Sequence, residues 1–210
     1  MVSDAEAMDV ALDLARSMLG RTTPNPSVGC VIVRDGRIVG RGATQAGGRP
    51  HAEAMALIEA ADLARGATAY VTLEPCAHVS PRGPACADGL IAAGVARVVA
   101  AMVDPDPRTA GSGLARLADA GIAVETGLGE ARARVLLAGF IHRLATGRPL
   151  VWADADPDAY DGPFDLGFRE TFEQALDRMG QAGLMRVRVD PGSPIALALA
   201  ARRLLEEPWR

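Results

Sequence analysis

Residues 51–86 hold two of the chain's three histidines and two of its three cysteines. A catalytic zinc takes three protein ligands of nitrogen or sulfur type and keeps one coordination position open for water. His51, Cys76 and Cys86 are the compact set in this sequence that supplies such ligands. Each cysteine lies at or just before what reads as a helix start, where unpaired N–H groups and the helix dipole favour thiolate over thiol. Glu53 follows His51 by two residues, in the first turn of a helix. A carboxylate there reaches a metal-activated water and takes its proton without being a ligand. Taken one at a time, a histidine at a helix start is usually a surface or capping group and a buried cysteine a small hydrophobe; the combination points to a metal. Cys30, mid-strand, reads as core, His142 as a structural residue of a helix, and His78 lies between the two cysteine ligands.

The elements that must position these residues follow from periodicity. Met8, Leu12, Ala15 and Leu19 recur at helical spacing behind Ser3, an N-cap. TTPNP is a rigid loop. SVGCVIV and RIVGRGAT are strands joined at Asp35-Gly36, a hairpin turn. Residues 51–64 read as a helix and ATAYVTL as a short buried strand with Glu74 and Pro75 at its end. Helix (ACADGLIAAG), strand (ARVVAAMV), helix (LARLADAG) and strand (IAVETG) then alternate, the pattern of a helix-covered, mostly parallel sheet. Residues 129–146 are expected to form one further helix closed by Gly147 and Pro149. Beyond Leu150 an acidic, turn-rich stretch reads as linker. A helix, a strand (MRVRV) and a last helix follow, too little to enclose a core of their own, so they should pack on the first domain or on another subunit.

Composition narrows the partners. Against 26 acidic residues stand 22 basic ones, and a net charge of −4 repels a phosphate backbone, so nucleic acid is not expected. With 4% aromatic residues the chain offers no stacking platform for bases. Three cysteines in no disulfide-scaffold spacing suit a reducing compartment, and MVSDAEAMDV carries acids where a signal peptide needs Lys or Arg. Cytoplasm is expected, with no membrane span.

His-Ala-Glu opening a helix, then Pro-Cys, then a second Cys leading a helix, is the signature of zinc deaminases. With TPNPSVGCVIV, GGRPHAE, ATAYVTLEPCAH, AAGVARVV and DPDPRTAGSG in order, residues 1–149 resemble the diaminohydroxyphosphoribosylaminopyrimidine deaminases of riboflavin biosynthesis, within the cytidine deaminase-like superfamily. Nine residues separate Cys76 from Cys86, whereas the tRNA adenosine deaminases place two. The resemblance implies a three-layer α/β/α fold with a mixed five-stranded sheet flanked by helices, and a short C-terminal α/β remnant. It implies one Zn²⁺ held by His51, Cys76 and Cys86, and hydrolytic deamination of a phosphorylated pyrimidine with Glu53 relaying protons. Asn25 and the backbone of Ala52 would face the ring, Thr44 would be a further substrate contact, and the loops holding His78, Arg82, Asp104 and Asp106 would grip ribose and phosphate.

This chain departs from that pattern in several places. HVSPRGPAC is one residue longer than the usual loop, which changes the spacing of Arg82 from His78. Thr44 stands where many relatives have His, and Asp106 where Asn is common, adding negative charge that Arg108 can offset. The family's usual partner is an NADPH-dependent reductase domain. Residues 150–210 are too few for one and carry VDPG where its glycine-rich segment would stand, so they are expected to be a degenerate reductase-like tail, with a separate reductase acting on the product. A homo-oligomer is expected. The rival readings are a deaminase of another nucleobase or nucleoside and a non-catalytic zinc-binding partner domain. Against the latter, a structural zinc needs no proton shuttle such as Glu53.

Overall fold

The computed structural model describes residues 1–78 and 83–206. Its first helix, α1 (Asp4–Ser17), starts at a capping box: the Ser3 hydroxyl accepts the Glu6 N–H while the Glu6 carboxylate accepts the Ser3 N–H. The helix buries Ala7, Met8, Ala11, Leu12 and Ala15 on one face, the face expected from spacing.

The hairpin of β1 (Gly29–Arg34) and β2 (Arg37–Ala43) turns at Asp35-Gly36. Their φ values are 50° and 71°. Positive φ at both central residues is what a two-residue turn matched to strand twist requires. α2 (Ala52–Ala60) follows, then β3 (Thr68–Val71), α3 (Cys86–Ala93), β4 (Arg97–Ala100), α4 (Ser112–Asp119) and β5 (Ala123–Thr126). These strands form one sheet in the order β2-β1-β3-β4-β5. β1 is antiparallel to β2 and β3, while β3, β4 and β5 run parallel. Val31, Ile32, Val71, Val98 and Val99 fill its interior with almost no exposure, as strands covered on both faces require. The mixed five-stranded, helix-flanked sheet expected from the sequence is thus present.

Residues 129–146 are two helices rather than one. α5 (Glu130–Leu136) ends at Leu137, whose ψ of 5° redirects the chain before α6 (Ala138–Thr146). The new direction seats Gly139 against the Met185 carbonyl, so closely that a Cβ there would lie 2.5 Å from its oxygen. The apolar repeat runs unbroken through this bend, which is why the sequence reads as continuous.

The tail also differs from expectation. The stretch read as linker contains β6 (Leu150–Ala153) and β7 (Gly162–Pro163). With α7 (Phe172–Gln181), β8 (Arg186–Val189) and α8 (Pro194–Ala201) they build a second sheet, all parallel, in the order β6-β8-β7. This unit has a small core of its own, including Val151, Leu176, Met179, Val187 and Leu199. A four-residue buried strand is too short for its period to be read, and the acidic turns around it hide it. The unit also packs on the first domain, as expected: Met185 joins the main core and Ala138 packs on the cluster of Leu150, Trp152 and Tyr160. Among the described residues no helix is long and apolar enough to cross a membrane.

Candidate active site

His51 occupies the N-cap position of α2 in extended conformation, Cys76 lies in the loop after β3, and Cys86 is the first residue of α3. Both cysteines lie on the connection from β3 to α3, which leaves the sheet at one end. His51 Nδ1 lies 3.2 Å from Cys86 Sγ and 3.8 Å from Cys76 Sγ, and the three ligand atoms lie within 4.8 Å of one another. Tetrahedral zinc with ordinary bond lengths separates N from S by about 3.5 Å and S from S by about 3.8 Å. The donor set therefore fits zinc in type and spacing.

Supporting contacts hold these donors. Cys76 Sγ accepts the Cys86 N–H at 3.3 Å. Its hydrogen bond with the Cys86 thiol holds the Cys76 thiol well below its ordinary range, and Cys86 is correspondingly pushed up by that pairing and by burial. On the far side of the His51 ring, Nε2 lies 3.1 Å from Asn25 Nδ2, and that amide donates to the Gly48 carbonyl at 2.8 Å. Asn25 thus lies against the ring edge opposite Nδ1, the nitrogen that faces the thiols.

Glu53 is 4% exposed, and burial raises its carboxyl above the usual carboxylate range. It lines a cavity of about 520 Å³ together with His51 and Cys76. Of the other expected site residues, Asn25, Thr44, His78, Asp104 and Asp106 line the same cavity. The Thr44 hydroxyl accepts the Val28 N–H at 3.1 Å. His78 Nδ1 is buried with no hydrogen-bond partner among the described residues. Ala52 is fully buried and does not line the cavity. Arg82 lies outside the described residues.

Asp104 and Asp106 sit in the loop after β4. Burial, with the neighbouring carboxylates Asp106 and Glu74, moves the Asp104 carboxyl up to about 6 against the pull of the Asp106 N–H. Asp106 is held below its ordinary range by the Arg108 guanidinium, which reaches it at 2.9 Å, so the offset expected of Arg108 is present. Glu74, noted in the sequence only as the end of a strand, organises this loop: its carboxylate accepts the N–H groups of Asp104, Gly111, Gly113 and Leu114.

One wall was not anticipated. Phe140, Arg143 and Leu144 of α6 line the cavity. Their i, i+3, i+4 spacing marks a helix face, the one sequence signal that could have found them.

The helix-flanked sheet and its His/Cys/Cys group are of the cytidine deaminase kind, and residues 1–102 match the family model described as cytidine and deoxycytidylate deaminase zinc-binding region. A diaminohydroxyphosphoribosylamino-pyrimidine deaminase of Buchnera aphidicola is 43% identical over 148 residues, 70% of this chain and the whole of that protein. The chain therefore belongs to the diaminohydroxyphosphoribosylaminopyrimidine deaminase family of riboflavin biosynthesis. Riboflavin biosynthesis protein RibD of Escherichia coli is 55% identical over 71% of this chain and 41% of its own length. A Thermotoga maritima structure, described as a diaminohydroxyphosphoribosylaminopyrimidine deaminase/5-amino-6-(5-phosphoribosylamino)uracil reductase, superposes with a TM-score of 0.66 at 41% identity, over 71% of this chain and 44% of that one. The chain thus spans about two fifths of the length of these longer relatives.

Proposed function

We propose that this chain hydrolytically deaminates 2,5-diamino-6-ribosylamino-4(3H)-pyrimidinone 5′-phosphate, with residues 1–149 as the deaminase domain and residues 150–210 as an appended α/β unit. The observation that carries the reading is the burial of Glu53 in the same cavity as His51 and Cys76. A zinc that only braced a fold would need no carboxylate facing an open cavity.

His51, Cys76 and Cys86 would hold the zinc. When bound, zinc supplies the Lewis acidity that makes water a nucleophile near neutral pH. Glu53 would take a proton from the attacking water as the new C–O bond forms at the amine-bearing ring carbon. It passes the proton to the ring nitrogen and carries the next to the departing amine. The C–N bond breaks, ammonia leaves, and a ring carbonyl remains. Burial favours this shuttle, because a carboxyl raised toward neutrality both accepts and returns protons at working pH.

Asn25 and Thr44 orient the ring, the first through its fixed place beside His51. The unpartnered His78 Nδ1 supports a hydrogen bond from His78 to the ribosyl phosphate portion, and Asp104 and Asp106 offer acceptors to the ribose hydroxyls. The reaction belongs in the cytoplasm, where thiol ligands stay reduced. Purified protein supplied with the pathway intermediate should release one ammonia per product; absence of ammonia with zinc fully loaded would refute the reading.

A further inference from the structure

We propose that Arg143, on the α6 wall, binds the 5′-phosphate of the substrate and that the C-terminal unit orients it for this task; the proposal rests on the deaminase reading above. The charges around the cavity set the need. Glu53, Glu74, Asp104 and Asp106 line it, with Arg49, Arg108 and Arg143 as the guanidinium groups among the lining residues. Glu74 is saturated by four backbone N–H groups, and Asp106 is neutralised by Arg108, which is thereby spent as a cation. Arg143 lines the same cavity, and no carboxylate among the described residues lies within salt-bridge distance of it.

The hydrogen bonding of Arg143 leaves it ready for an anion. Its Nε donates to the Gly180 carbonyl at 2.9 Å. The Nη1 and Nη2 groups have no acceptor among the described residues. A guanidinium presents its N–H donors as a rigid planar fork that matches phosphate oxygens two at a time. Fixing Nε fixes the plane of that fork before substrate arrives, which lowers the entropy lost on binding.

Gly180 belongs to α7, and it reaches Arg143 because α7 lies against the end of α6: a Cβ on Gly180 would fall 1.8 Å from the Gly147 carbonyl oxygen. The C-terminal unit thus acts on the site through one carbonyl. This gives it a part in specificity.

The test compares the phosphorylated intermediate with its phosphate-free nucleoside in the wild type, Arg143→Ala and Arg143→Lys, each checked for zinc content and folded spectrum. Charge-assisted hydrogen bonds of this kind correspond to about tenfold to a hundredfold in affinity. The ratio of kcat/KM for the phosphorylated over the phosphate-free substrate should fall by that factor in Arg143→Ala, and Arg143→Lys, keeping the charge without the fork, should recover part of it. A merely structural role would lower both substrates together and leave the ratio fixed, which overturns the proposal. Calorimetric titration with ribose 5-phosphate provides the second arm, since it needs no turnover. Weaker binding to Arg143→Ala supports the subsite even if the deamination reading fails, and equal binding to wild type and variant overturns it.

Discussion

The Thr23 hydroxyl donates a hydrogen bond to the Asp161 carboxylate, joining segments 138 residues apart. The other oxygen of Asp161 accepts the N–H groups of Met185 and Arg186, at 2.6 and 2.8 Å. One carboxylate therefore ties β8 to the loop carrying Asn25. Asp161→Ala strands the Thr23 hydroxyl and two backbone donors, and leaving such groups unsatisfied costs about 1–3 kcal/mol each when buried. The expected result is a lower urea midpoint together with a severalfold higher KM, zinc content being retained. A loss of stability with KM unmoved would mean that the C-terminal unit props the fold without steadying Asn25.

Zinc should be present at about one per chain, as a three-ligand site with one open position implies. Cys86→Ala removes one of three donors and leaves Cys76 without its thiol partner. Metal analysis should find that variant depleted, with thermal unfolding moved to lower temperature, because metal-binding energy is folding energy where the ligands come from distant segments. Full zinc occupancy in Cys86→Ala would remove Cys86 from the ligand set.

Glu53→Gln keeps the size and buried position of the side chain but cannot accept the water proton. The loss in kcat should be at least about 10²–10⁴-fold, the usual contribution of a general acid-base group. It should be larger where one carboxylate serves successive transfers. Zinc content and unfolding midpoint should stay near wild type, separating the chemical role from a packing role. A variant with near wild-type kcat assigns the proton relay to another group.

What the sequence made legible is what depends on near neighbours. The Ser3 N-cap and the Asp35-Gly36 turn are fixed by residues within three positions of each other, and both stand as expected. His51, Cys76 and Cys86 were recognisable because His51 and Cys86 sit at helix starts and Cys76 in the loop that joins β3 to α3, so that short motifs along the chain mark all three. The α6 wall is different. Arg143 faces the cavity because the chain turns at Leu137, within an apolar repeat that runs on through the turn. Its orientation depends on Gly180, a contact across 37 residues that no local pattern encodes. β6 was hidden for a related reason: a short apolar run becomes a strand once β8 supplies its partner.

Glu74 tests how far the site depends on its scaffold. One carboxylate oxygen accepts the N–H groups of Gly113 and Leu114, and the other those of Asp104 and Gly111. The first pair belongs to the opening turn of α4, whose N–H groups lack intrahelical partners, and the second pair fixes the loop carrying Asp104 and Asp106. Glu74→Gln preserves the shape but offers a carbonyl to only one pair, turning an NH₂ group toward donors on the other side. It should cost about 2 kcal/mol or more, and Glu74→Ala should cost more still, since all four donors then lack an acceptor at a residue 3% exposed. Amide hydrogen exchange should locate the damage. Protection at Gly111, Gly113 and Asp104 should fall in both variants while the amides of β1 keep theirs. If Glu74→Gln unfolds at the wild-type urea concentration and these amides stay protected, the loop is held by its own turns rather than by this carboxylate.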